Sequence, residues 1–91
     1  MKKIYKVEIR PNSEIGKPFR VPFSTHKLAR PISVAMQGGK VVMWVEVDTS
    51  HPVEEQYVYS VGTGFGSPPK NCRFVGTVQQ GPYVWHIYAD H

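Results

Sequence analysis

The side chains of this chain best equipped for chemistry are its aromatic and cationic ones, and the chemistry they suit is recognition of an anion that carries a ring. Trp44, Tyr83, Trp85 and His86 offer flat faces and hydrogen-bonding atoms, while Arg20, Arg30, Lys40 and Arg73 offer cations. Stacking of a base on an aromatic ring contributes roughly 1–3 kcal/mol, and cationic side chains neutralise phosphates. Tyr57, Tyr59 and Tyr88 lie in the same half of the chain, where core packing is an equally good use of them. Gly62-Thr63-Gly64-Phe65-Gly66-Ser67 follows a strand-like run, and its backbone N–H groups could cradle an anion, so Gly62, Thr63 and Gly64 join the candidates. The segment is no Walker loop, because no Gly-Lys-Ser/Thr follows. It is no dinucleotide fingerprint either, because Pro68-Pro69 blocks the helix that would have to begin there.

Groups suited to catalysis or metal binding are sparse. Cys72 has no partner base at a suggestive spacing and reads as a small buried hydrophobe. His26, His51, His86 and His91 share no short metal-ligand spacing. Glu54 and Glu55 are neighbours in a strand and point to opposite faces. Glu46 and Asp48 share a face and read as solvated surface. No Gly-x-Ser-x-Gly elbow occurs. No catalytic residue, metal site or cofactor is expected.

The elements that must position the candidates are strands. Gly and Pro interrupt the chain throughout, and the longest clear run, Lys40 to His51, is rich in β-branched and aromatic residues. Gly38-Gly39 between two apolar runs predicts a two-residue hairpin turn. In that register Gln37 faces Lys40, Val34 meets Met43 and Ile32 meets Val45. One face is then apolar, and Trp44 lies on the other, over Ser33 and Ala35. A second hairpin is expected around Gly81-Pro82, joining Cys72–Val78 to Tyr83–Tyr88. The last strand is apolar or aromatic on both faces, which suits a central position. Lys3–Arg10 and Glu54–Val61 alternate as strands, and Pro18 and Pro22 restrict Lys17–Phe23 to an edge. The expected fold is all-β: one domain over residues 1–91, with six or seven strands in a small antiparallel sandwich or partly open barrel and no long helix.

Size and charge set further bounds. The 91 residues suffice for one domain, which buries roughly 60–65% of the surface its unfolded chain exposes. Such a domain does not enclose a large cavity alone, so a homo-oligomer with a pocket between copies is expected. Residues 1–30 hold eight Lys/Arg against two acids, a net of +6; residues 31–91 hold three against five, a net of −2. The basic first third would attract anions. No apolar run reaches membrane-span or signal-peptide length, and the single cysteine suits a reducing cytoplasm.

Three stretches carry a family resemblance: Ile32-Ser33-Val34-Ala35-Met36-Gln37-Gly38-Gly39-Lys40 with Trp44; Gly62-Thr63-Gly64; and Phe74-Val75-Gly76-Thr77 through Gly81-Pro82-Tyr83-Val84-Trp85-His86-Ile87-Tyr88. Together they resemble a family of small phage and prophage proteins of unknown function, over residues 1–10 and 31–89. The resemblance implies a viral protein made in a bacterial cytoplasm and carries over no catalytic residue. In size and charge the chain is similar to compact phage proteins that sequester nucleotide signals of host immunity. The expectation is a non-enzymatic protein that captures an anionic nucleotide-like ligand. Its rivals are a nucleic-acid-binding module and a structural or assembly protein of the virion.

Overall fold

The computed structural model describes residues 1–90, and these form seven strands in chain order: β1 (Lys2–Ile9), β2 (Phe19–His26), β3 (Arg30–Gln37), β4 (Lys40–Asp48), β5 (Val53–Gly62), β6 (Cys72–Gln80) and β7 (Tyr83–Asp90). Two antiparallel sheets result, one ordered β1-β4-β3 and the other β2-β5-β7-β6. They pack as a sandwich and do not close into a barrel. None of the described residues is helical, so no helix is long and apolar enough to cross a membrane.

The hairpin at Gly38-Gly39 forms in the expected register. Both glycines have positive φ, 56° and 78°, as a tight two-residue turn requires. Gln37 pairs with Lys40 and Val34 with Met43. The pairing then departs from the alternation: Ile32 is the extra residue of a bulge, and Pro31 pairs with Val45 in its place. Proline has no N–H for the ladder, so an irregularity beside it costs little. The consequence is that Pro31 is buried and Ile32 only half-buried. A second bulge, at Val75 of β6, falls between the Phe74–Tyr88 and Gly76–Ile87 pairs. Val41, Met43, Val45 and Val47 of β4 face Val21, Phe23, Val58, Val78, Trp85, Ile87 and Ala89 of the second sheet in one core.

β7 is central, as its two-faced apolar character predicts, and β2 with its proline is an edge strand. Along one margin the sheets meet through β3 and β6. Arg73 donates to the Pro31 carbonyl, and Gln80 Nε2 donates to the Gly39 carbonyl at 3.2 Å. Gly76 lies between these two contacts, where a Cβ would come within 2.8 Å of Val34 Cγ2. Gly76→Ala should therefore cost about 1–3 kcal/mol in urea unfolding, with Val34→Ala restoring part of the loss in the double variant. A Gly76→Ala protein as stable as the parent would contradict this account of the junction.

Val61 points outward, opposite His86, and is nevertheless buried.

Candidate functional site

β5 and β7 pair only from Tyr59 to Gly62, against Tyr88 to Trp85. Beyond that point β5 stays with β2 as far as the His26–Val53 pair, while β7 stays with β6 as far as the Cys72–Asp90 pair. The four-stranded sheet is therefore forked. Gln56 helps to shape the fork: its side-chain amide donates to the carbonyls of Thr25 and His26 and accepts from Ala29 N–H at 3.0 Å. That holds the β2–β3 turn at the mouth of the sandwich.

The fork opens a cleft of about 550 Å³, a size typical of small-molecule sites. Arg20, Tyr57 and Tyr59 line one wall, Arg73, Ala89 and Asp90 the other, and Ala29, Arg30 and Pro31 the floor. Thus β2, β3 and β6 each deliver one arginine to the same opening. Glu54 and Asp90 also border it, so the lining holds three cations and two carboxylates.

Each guanidinium has a definite place. Arg73 pairs with Ala89 and so points inward, where it meets the Pro31 carbonyl. Burial, and then the Arg30 charge beside it, push the Arg73 pKa down, against the pull of Glu46. A cation so placed gains from an added anion. Arg30 Nη1 holds Glu46 Oε1 at 2.9 Å. Arg20 is outward, across from Tyr59, with its guanidinium carbon 4.2 Å from the centroid of the Tyr57 ring. The Tyr57 hydroxyl donates to Glu55 at 2.6 Å, and that bond, with the Glu55 charge, raises its pKa.

Three of the four proposed phosphate ligands, Arg20, Arg30 and Arg73, therefore border the same cleft, Arg20 from the outer face of the sheet and Arg73 from the inner. Lys40 does not: it lies at the far hairpin, 3.7 Å from Glu8. Trp44 is on the outer face of the three-stranded sheet, between Lys6 and Ser33. Trp85 is 5% exposed and belongs to the core; it stacks on Tyr83 at 5.2 Å and donates to Gln80. His86 points outward with both ring nitrogens engaged, by Thr63 Oγ1 at 2.7 Å and Thr77 Oγ1 at 3.0 Å. In the glycine-rich loop, Thr63 N–H already bonds Val84 and Phe65 N–H bonds Gly62, which leaves little of an anion cradle. Gly62 is a packing glycine, crowded by Ser13, Phe65 and Trp85. Tyr83, Trp85, Gly62 and Thr63 instead border two adjoining grooves of about 270 and 620 Å³, lined by no charged side chain.

Tyr57 and Tyr59 stand among the aromatics noted in the sequence but not among its candidate ligand residues. Their i, i+2 spacing puts both on one strand face, and that was the available signal. What could not be read was that β2 would set Arg20 directly across from Tyr59.

Cys72 is half-buried rather than buried, with its thiol 3.6 Å from Asp90. Burial first, then the Asp90 bond and charge, push the thiol pKa up. Less thiolate at a given pH means slower alkylation. Iodoacetamide should therefore modify Cys72 more slowly at pH 7.5 than it modifies glutathione, and an equal or faster rate would contradict this placement. Among the described residues no three His, Cys, Asp or Glu side chains are grouped to hold a metal ion, and His91 lies outside those residues.

A family model described as a domain of unknown function (DUF7352) matches residues 1–91. Comparison with curated proteins and with solved structures gives no match.

Proposed function

Starting from the fact that this chain belongs to the DUF7352 family of domains of unknown function, we propose that it is a non-catalytic binding protein that captures an anionic, nucleotide-like ligand in the forked cleft. The observation that carries this reading is the convergence of Arg20, Arg30 and Arg73 from three strands on one opening walled by Tyr57 and Tyr59. Guanidinium groups suit phosphate by geometry as well as charge, and tyrosine faces suit a base. The resemblance to small phage proteins suggests the setting, an infected bacterial cytoplasm in which sequestering such a ligand would blunt a host signal.

The test is thermal unfolding in the presence of adenosine or guanosine 5′-monophosphate, the parent nucleosides and inorganic phosphate. A ligand at a hundred times its Kd stabilises by about 2.7 kcal/mol. For a domain of this size that corresponds to a rise of roughly 10 °C or more. The monophosphates should raise Tm, and the nucleosides and inorganic phosphate should do so less. No rise with either monophosphate at millimolar concentration would overturn the reading.

A further inference from the structure

The arginines of the cleft lie on opposite sides of the four-stranded sheet. Arg20, Tyr59, Tyr88 and Phe74 are cross-strand partners in one row on the outer face. Arg73, adjacent to Phe74 in the strand, points to the opposite face, inward, and reaches the first sheet at Pro31. The row spans three strand separations, about 14 Å between the backbones of Arg20 and Phe74. The two guanidiniums are held on different sides by different contacts. Arg20 is stacked on Tyr57 outside, and Arg73 is bonded to a carbonyl inside. Glu54 and Asp90 also border the opening and disfavour a compact block of negative charge beside them.

From this we infer that the ligand carries two separate phosphate groups and passes through the fork, one phosphate at Arg20 on the outer face and the other at Arg73 and Arg30 inside. A pair of linked nucleotides has that chemistry: its phosphates are spaced along a sugar backbone, with a base between them to meet Tyr57 and Tyr59. A single phosphate cannot lie on both sides of the sheet. The inference rests on the nucleotide reading of the cleft and narrows it.

The experiment is isothermal titration of the full chain with adenosine 5′-monophosphate and with the 5′-phosphorylated dinucleotide pApA, for the parent, Arg20→Ala and Arg20→Lys. In the parent, pApA should bind at least tenfold more tightly than the monophosphate. Arg20→Ala should collapse that ratio toward one, and Arg20→Lys, which keeps the charge, should retain part of it. Equal affinity of the parent for both probes would overturn the two-phosphate inference and leave the cleft reading standing. So would a ratio that survives Arg20→Ala, because the second phosphate would then lie elsewhere. Binding of neither probe would overturn the cleft reading itself. Circular dichroism of the Arg20 variants separates lost affinity from lost fold; Arg20 is exposed on an edge strand, so unchanged spectra are expected.

Discussion

Ile87→Ala should destabilise the domain by about 2–5 kcal/mol, toward the upper end of that range. Ile87 is 0% exposed at the middle of the central strand β7. Its two cross-strand partners are Ser60 on β5 and Gly76 on β6, among the smallest side chains in the sheet. The isoleucine overhangs both of them. Truncation leaves a void that neither neighbour can fill. Ser60 is in addition tied to the segment after β1, accepting from Asn12 N–H and donating to the Asn12 carbonyl at 2.6 Å. A domain of this length is stable by only about 5–14 kcal/mol, so the loss is a large fraction of the whole. Urea unfolding measures it directly, and Ile87→Val, which leaves a smaller void, should cost about 0.5–1.5 kcal/mol. An Ile87→Ala loss below 1 kcal/mol would mean that the sheets collapse freely around this site.

The second large effect is on ligand binding. Arg73→Gln should weaken capture of adenosine 5′-monophosphate by about tenfold to a hundredfold, the range for losing a charge-assisted hydrogen bond to an anion. Arg73 is partly withdrawn from water and sits beside Arg30, with Glu46 already committed to Arg30. An anion entering the cleft relieves that like-charge pair. Glutamine still offers an N–H toward the Pro31 carbonyl, so the unliganded protein should lose only about 0.5–1.5 kcal/mol, as expected for one neutral hydrogen bond. Affinity unchanged in this variant would remove Arg73 from the site. A weakened affinity that tracked a collapsed Tm would instead make the residue structural.

Much of the fold could be read from local pattern. Gly38-Gly39 set the register of its hairpin because both turn positions require positive φ, and Gly81-Pro82 set the second turn with positive φ at Gly81 alone, the proline ring holding Pro82 at negative φ. The two apolar or aromatic faces of Tyr83–Tyr88 announced a central strand. The bulge at Ile32 was hidden, because strict alternation assumes a donor at every position and Pro31 has none. The site was less legible. Arg20, Arg30 and Arg73 stood out as cations, yet which of them meet depends on pairings between strands far apart in sequence. The cleft exists because β5 pairs with β7 only from Tyr59 onward and is separate from it before that residue, and that divergence has no local signature. Trp85 shows the converse error: its size and ring suggested a binding platform, but its parity in β7 places it with Ile87 and Ala89 in the core.

Amide chemical-shift mapping shows where the ligand sits. On titrating ¹⁵N-labelled protein with adenosine 5′-monophosphate, the largest shifts should cluster at Arg30, Tyr57, Tyr59, Arg73 and Asp90, around the fork between β5 and β7. Shifts centred instead on Phe65, Tyr83 and Trp85, at the uncharged grooves of the opposite end, would contradict the account.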